Sequence, residues 1–194
     1  MADDLAEQHR QGQLQIRARA LQDYIALWPI WHGDAASFQT LVAATLPLVN
    51  SYRQASAAYA AAYYTAERLA AGVPGTFAPV LGDAMNPEQV TASLYVTGEV
   101  MTGNALAAGQ TAEQAMRTAL VRTSGAVGRH VLDGGREAVL GSSRADRASR
   151  GWVRVVGGAA CNFCQLLAGK TGDSEESAGF PAHDHCSCSA APLF

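Results

Sequence analysis

Apolar residues of the first 150 positions recur every three or four residues, which is the spacing of amphipathic helices. The first thirty residues predict one helix, which is interrupted at Trp28-Pro29 because the residue before a proline is pushed away from helical angles. Asp34 is a good N-cap for a second, long helix that we expect to reach about Gly72, with Pro47 as a kink.

Two further helices have clear start signals. A loop rich in proline and glycine over residues 72–86 precedes Asn86-Pro87, an N-cap followed by proline at the first helical position. This third helix should end near Gly109. Residues 111–114 (TAEQ) fit a capping box and open a fourth helix, which we expect to loosen around Gly134-Gly135 and the following stretch GSSRADRASR.

The character of the chain changes at Gly151. Residues 152–156 are rich in β-branched side chains and are bounded by glycines, so they form the only strand that is convincingly predicted. All four cysteines and two of the five histidines follow this strand. We therefore predict a mainly α protein with two parts: residues 1–150, an Ala-rich helical bundle or extended helical body, and residues 151–194, a small α+β C-terminal module.

Composition bounds the possible functions. Hydrophobic residues make up 48% of the 194 residues and charged residues 16%, so the chain can bury a sizeable core. The net charge of −3 argues against a protein built to coat nucleic acid. Apolar runs are broken well before the ~18 residues of a membrane span, and the acidic, polar N-terminus does not resemble a secretory signal. We expect a soluble protein without a membrane partner.

The spacing of cysteines and histidines in the C-terminal module is typical of a structural zinc site. A C-x-x-C pair lets two thiolates converge on one ion, and an H-x-x-C-x-C run adds three further donors of the kind that zinc prefers. The candidate ligands are Cys161, Cys164, His183, Cys186 and Cys188.

A metal would also solve a folding problem. A module of about 40 residues buries too little apolar surface to hold itself together, and metal-binding energy then becomes folding energy. Because five or six donors compete for four positions, one or two are surplus, and His185 is the weakest candidate because it directly precedes Cys186. The pattern leaves open which of His183, Cys186 and Cys188 complete the site.

Two alternatives use the cysteines without a metal. Four cysteines allow three disulfide pairings that would stabilise the module, although a chain without a secretory signal should keep its thiols reduced. A redox pair at Cys161-x-x-Cys164 is less consistent with the sequence, because thioredoxin-like motifs lie beside βαβ units and this body is helical.

The C-terminal residues resemble a known family. The pattern comprises Trp152 and Arg154, C-x-x-C at residues 161–164 with a leucine soon after, H-x-x-C-x-C at residues 183–188, and a closing Pro192-x-Phe194. It is similar to the C-terminal signature of phage minor head proteins, the Mu F-like head-morphogenesis family, in the form found in tailed phages of actinobacteria. The match covers about 45 residues at the C-terminus. Ser187 stands where the family often has an arginine, which puts an anion-binding role of that position in doubt.

This resemblance implies a virion protein, present in few copies in the capsid interior or near the portal vertex. Its expected partners are the portal protein, the major capsid protein or both, and the packaged phage DNA is a further candidate. For a chain of this length the resemblance implies no enzymatic activity and no small-molecule substrate.

Arginines on the fourth predicted helix are a second candidate contact site. Arg122, Arg129 and Arg136 are spaced seven apart, so they share one face if the helix is continuous. Such a strip could contact DNA phosphates or an acidic partner, and the alternative is an ordinary solvated helix face.

Two other functional classes deserve comparison with the phage interpretation. In a cytosolic zinc-knuckle protein that binds nucleic acid or regulates another protein, the arginine strip would be the working surface. A zinc hydrolase would need an open coordination position, whereas thiolate-rich sites are usually closed. The sequence contains no nucleophile elbow and no phosphate-binding loop.

Overall fold

The structure is a computed structural model that describes residues 2–158, 160–172 and 180–194. It confirms a mainly α fold with a small α+β segment at the C-terminus. The helices are α1 (Ala2–Leu27), α2 (Ala35–Ala70), α3 (Pro87–Tyr95), α4 (Met101–Ala107), α5 (Ala112–Ala145) and α6 (Asn162–Leu166). The strands are β1 (Gly151–Val155), β2 (Thr171–Gly172) and β3 (Ser189–Leu193).

Helix starts lie where the capping residues predict them. The Asp34 carboxylate accepts the backbone N–H of Ser37 at 2.9 Å, and the Asn86 side chain caps α3. Thr111 and Gln114 form the reciprocal capping box of α5. Each cap satisfies backbone N–H groups that the first helical turn leaves without a partner, so these boundaries are determined locally.

Helices α1, α2, α3 and α5 bury a core of large side chains, which we call the aromatic core. A 3₁₀ turn at Trp28–Ile30 separates α1 from α2 and brings Trp31 onto Phe38, with ring centroids 4.7 Å apart. The buried members of this core are Tyr24, Trp31, Phe38, Leu41, Val42, Val49, Val90, Leu94, Ala119 and Val127. No described helix is long and apolar enough to cross a membrane.

The predicted third helix is divided. A π-helical turn at Val96–Val100 separates α3 from α4, where a single helix to about Gly109 was expected. Gly98 lies in this turn against the ring of Phe38, and a Cβ at Gly98 would come within 2.7 Å of that ring. The wide turn therefore occurs where the helix backbone makes its closest approach to the aromatic core.

The expected loosening of the fourth predicted helix is wrong at Gly134-Gly135, although the helix does end within the stretch GSSRADRASR. Helix α5 continues from Ala112 to Ala145 through both central glycines. A Cβ at Gly134 would lie 2.3 Å from the Arg53 carbonyl oxygen, and one at Gly135 would lie 2.4 Å from Gln13 Nε2. These glycines allow α5 to approach α1 and α2 closely, and this packing offsets their poor helix propensity.

The C-terminal segment contains a three-stranded antiparallel sheet in the order β2-β1-β3. Strand β1 is the predicted strand. Strand β3 was not predicted, because its residues Ala190, Ala191 and Pro192 are poor strand formers. Pro192 is tolerated because β3 is an edge strand, where it pairs with Trp152 of β1.

The sheet packs on the helical body through a shared set of side chains, the junction core. Its buried members are Ala57, Ala60 and Tyr63 of α2, Ala138, Val139 and Leu140 of α5, and Trp152, Ala190 and Ala191 of the sheet. Apolar burial therefore continues across residue 150. The division into two independently stable parts stays a prediction.

Candidate metal centre

All five predicted donors converge on one place, which we call the Cys/His cluster. Cys161, Cys164 and His183 form one group, and Cys164, Cys186 and Cys188 form another; the ligand atoms within each group lie within 4.8 Å of one another. Cys164 belongs to both groups. The cluster therefore joins the two sequence motifs, which are far apart along the chain.

The first motif lies at the start of α6. Cys161 is the N-cap residue of this helix, and Cys164 follows in its first turn. The side chain of Cys164 is buried while that of Cys161 is exposed. The C-x-x-C spacing thus brings the two thiols to the same end of a short helix, one facing the interior and one facing solvent.

The second motif forms a tight turn. The backbone N–H of Cys186 donates to the carbonyl oxygen of His183 at 3.0 Å, and His185 has a φ of 65° at the third turn position, as a type II turn requires. His185 belongs to neither donor group. Its ring lies against α5, where a Cβ at Gly125 would come within 2.6 Å of His185 Nε2. The weakest predicted ligand is thus directed elsewhere.

His183 is oriented as a metal-binding histidine would be. Its Nδ1 donates to the carbonyl oxygen of Asp184 at 2.6 Å, which leaves the Nε2 lone pair free. Nε2 lies 3.0 Å from Cys161 Sγ and 3.3 Å from Cys164 Sγ. Histidine ligands commonly donate their other ring N–H to a carbonyl group in this way, which determines the tautomer.

The thiol separation also fits zinc. Zn–S bonds of about 2.3 Å at tetrahedral angles place two sulfur atoms about 3.8 Å apart. The Sγ atoms of Cys164 and Cys186 are 3.7 Å apart. All four cysteines are free thiols. The geometry therefore matches an edge of a zinc tetrahedron and shows no bonded pair.

The thiols differ in acidity. A hydrogen bond from Cys188 and the nearby charge of Arg136 lower the pKa of Cys186 to about 4. Burial raises the pKa of Cys164 to about 11, and the bond to Cys186 raises the pKa of Cys188. A bound cation would lower the pKa of Cys164 and of Cys188, because a coordinating thiol is deprotonated.

The donor set suits a structural zinc ion. Thiolates and imidazole are ligands for zinc, whereas magnesium and calcium prefer oxygen donors. Three of the four cysteines are almost completely buried, and Cys161 lies at the surface. The cluster could hold a metal ion that joins the two sequence motifs.

Comparison with known protein families identifies the family of this chain. The model of a family described as VG15 protein matches residues 1–194. The chain belongs to the VG15 protein family. This membership implies a phage-encoded protein. Neither the curated proteins nor the solved structures contain a match to the chain.

The three arginines proposed to contact DNA have different environments in this VG15 protein. Arg122 is exposed, Arg129 is half-buried and Arg136 is buried. Arg129 donates to the Asp184 carboxylate at 2.9 Å and to the Ser93 hydroxyl at 3.1 Å. Of the three, only Arg122 presents its guanidinium fully to solvent, and DNA contact stays a prediction.

Arg136 instead contacts the C-terminal segment of the VG15 chain. It donates to the carbonyl oxygen of Cys188 through Nε at 3.1 Å and Nη2 at 3.0 Å, and to that of Cys186 through Nη2 at 3.3 Å. Its Nη1 is paired with Asp133 at 2.8 Å. Heptad spacing placed Arg136 on a helix face but gave no signal that the C-terminal segment covers this part of the face.

Like Arg136, Arg154 contacts the chain that precedes the second ligand motif. Its guanidinium lies 3.6 Å from the centre of the Phe180 ring, and Arg136 lies over the same ring at 5.1 Å. Arg154 also donates to the carbonyl oxygen of Pro181 at 2.7 Å. These contacts hold the chain that leads to His183, so Arg154 supports the second ligand motif.

Proposed function

We propose that this VG15 protein is a structural minor head protein of a tailed phage, which acts in head assembly near the portal and stays in the virion. Its partners in this proposal are the portal protein, the major capsid protein or both, and it has no enzymatic activity. Contact with packaged DNA is an additional role, for which Arg122 is the most accessible of the three candidate arginines.

The observation that carries the proposal is the common location of the residues that resemble minor head proteins. Trp152 is buried in the junction core and pairs with Pro192 across the sheet. Phe194 packs edge-on against Tyr64 of α2 at 5.5 Å. The residues of the pattern thus belong to one structural unit that is attached to the helical body. This arrangement suits a structural role in the phage head.

A structural zinc ion is part of this proposal. Cys161, Cys164 and His183 would hold it together with a cysteine of the 186–188 segment. The ion would supply a cross-link between α6 and the segment that leads into β3. The protein's own residues direct His183 Nε2 toward Cys161 and Cys164 and bury three of the four thiols.

The test is to locate the protein in the phage that encodes it. Virions are purified by density gradient, and the chain is quantified by mass spectrometry relative to the portal protein. A few copies per virion are expected. Absence from both intact virions and empty heads, with the chain confined to the host cytoplasm, would contradict the proposal and favour a cytosolic zinc-knuckle protein.

Complementation then tests the role. A phage lacking the gene is supplied with the wild-type chain, Cys164→Ser or the exposed-site control Leu69→Ala. We expect wild type and Leu69→Ala to restore normal heads and Cys164→Ser to fail, because Cys164 belongs to both donor groups. Full restoration by Cys164→Ser would show that head assembly does not need the Cys/His cluster.

A further inference from the structure

The guanidinium group that binds the backbone of Cys186 and Cys188 comes from the helical body. Arg136 of α5 is 3% exposed, and its fork makes three hydrogen bonds to the backbone on either side of Ser187. Arg17 of α1 lies nearby with a buried Nε that has no partner, and Gly128 leaves room for it. Guanidinium groups therefore line the body side of this ligand pair.

The hydrogen bonds of Arg136 act on the geometry of the ligands. Both carbonyl groups that it binds belong to cysteines, so the Cys186-Ser187-Cys188 backbone is held at two points by one rigid planar group. Residues two apart in an extended chain point to the same side. With their carbonyls fixed on α5, both thiols are directed toward Cys164.

Asp133 completes the arrangement. Its carboxylate accepts Nη1 of Arg136 at 2.8 Å and lies one turn earlier on α5, so it fixes the guanidinium from the opposite side. The Phe180 ring lies over the guanidinium. Asp133 and the Phe180 ring thus fix the position of the Arg136 guanidinium.

We propose that Arg136 is a positioning residue of the metal centre: by holding the carbonyl groups of Cys186 and Cys188, it presets these cysteines for metal binding. This inference rests on the proposed zinc site. Two of the candidate ligands, Cys186 and Cys188, are then held by a residue of α5. The helical body therefore contributes to metal affinity although it supplies no ligand. The positive charge of Arg136 also favours a ligand set that carries net negative charge.

The experiment compares zinc affinity in Arg136→Gln, Arg136→Lys and the control Arg122→Gln, which changes an exposed arginine of the same helix. Affinity is measured by competition with a chelator. Loss of a group that orients a ligand typically weakens metal affinity 10- to 100-fold. We expect about this loss in Arg136→Gln, a smaller loss in Arg136→Lys, which keeps the charge without the fork, and less than a twofold change in Arg122→Gln.

A second readout separates positioning from general destabilisation. Cobalt(II) replaces zinc, and its thiolate charge-transfer absorption reports how many thiolates bind. Arg136→Lys should show reduced absorption at saturating cobalt while its helical circular dichroism matches wild type; this variant carries the test if Arg136→Gln does not fold.

The outcomes are distinguishable. Wild-type affinity and cobalt absorption in both Arg136 variants would overturn the role of Arg136 and leave the zinc site intact. Failure of the wild-type protein to bind zinc or cobalt would overturn the zinc site, and this inference with it.

Discussion

Around Phe38, aromatic and branched aliphatic side chains from α1, α2, α3 and α5 fill the aromatic core. Around Cys164, by contrast, the buried side chains are Ala160 and two further cysteines. A buried leucine or phenylalanine contributes about 1.5–3 kcal/mol, and alanine much less. The helical body can therefore fold by apolar burial. Around Cys164 the C-terminal segment has thiols in place of large apolar side chains. These thiols contribute to stability when they bind a metal ion.

The comparison also shows how the two regions are joined. The junction core is built mainly from small residues such as Ala57, Ala60 and Ala138, which allow the sheet to approach closely but bury little area each. Polar contacts from arginines on α5 then reach the turn that carries His183. The C-terminal segment is thus attached to the helical body by small apolar side chains and by hydrogen bonds from arginines.

The largest effect is expected from Cys164→Ser, because Cys164 is the only donor common to both groups. The variant should lose its zinc, and with it a binding energy that in zinc-finger peptides reaches about 10–16 kcal/mol. Residues 151–194 should become protease-sensitive while the helical signal persists. Zinc analysis and limited proteolysis measure this.

Cys188→Ser is the matched control for this prediction. Cys188 belongs to one group only, so its replacement leaves the group of Cys161, Cys164 and His183 intact, whereas the loss of Cys164 breaks both groups. We expect zinc to be retained at reduced affinity. Equal loss of zinc in Cys164→Ser and Cys188→Ser would show that the two groups do not overlap as the structure indicates.

Leu41→Ala tests the other side of the comparison. Leu41 is 1% exposed in the aromatic core, and replacing a buried leucine by alanine costs about 2–5 kcal/mol. Urea unfolding should show this loss with zinc content unchanged. Leu69→Ala, at a position 80% exposed, should change stability by less than about 0.5 kcal/mol. Loss of zinc in Leu41→Ala would mean that the two regions unfold together.

Stability should also fall in acid because of His9. Its ring is buried against Tyr63 with centroids 4.1 Å apart, and burial lowers its pKa from 6.5 to about 4. The unfolded chain therefore binds a proton at a higher pH than the folded chain, so stability decreases as the pH falls from about 6.5 to 4. For His9 this loss is roughly 2–3 kcal/mol between pH 7 and pH 4.5.

The measurement is urea unfolding of wild type and His9→Phe at the two pH values. His9→Phe keeps a ring at this position but cannot be protonated, so it should lose roughly 2–3 kcal/mol less than wild type. Protonation of the other histidines and of the cysteines contributes to both proteins and cancels in the difference. Parallel losses in the two proteins would contradict the buried, neutral state of His9.

The smallest effect is expected from Arg122→Gln. Because Arg122 is exposed, stability should change by less than about 0.5 kcal/mol. If the protein contacts DNA through this residue, the variant should bind DNA more weakly whatever the sequence. The slope of log affinity against log salt concentration should become shallower by about one. Unchanged binding would identify Arg122 as part of a solvated face.

Local signals were sufficient for much of this fold. The caps at Asp34, Asn86 and Thr111 each determine a boundary within a few residues of themselves, so they could be identified from sequence. The convergence of Cys161 and Cys164 is equally local, since one helical turn accomplishes it. The sequence motifs therefore identified donors that the fold brings together, and their binding of a metal stays a prediction.

Features that depend on distant residues could not be predicted. Strand β3 forms because β1 offers it a partner, although alanine and proline disfavour strands. Gly134 and Gly135 remain helical because α1 and α2 pack directly on them. Whether Arg136 faces solvent or the C-terminal segment depends on how that segment folds back, and heptad spacing carries no information about this.

The central claim is that a metal ion organises the C-terminal segment, and native mass spectrometry of the protein purified under reducing conditions tests it most directly. One spectrum reports both bound metal and the oxidation state of the thiols. The account predicts about one zinc per chain, four reduced cysteines, and loss of the metal after chelation. A well-folded, metal-free chain whose mass shows two disulfides would contradict it.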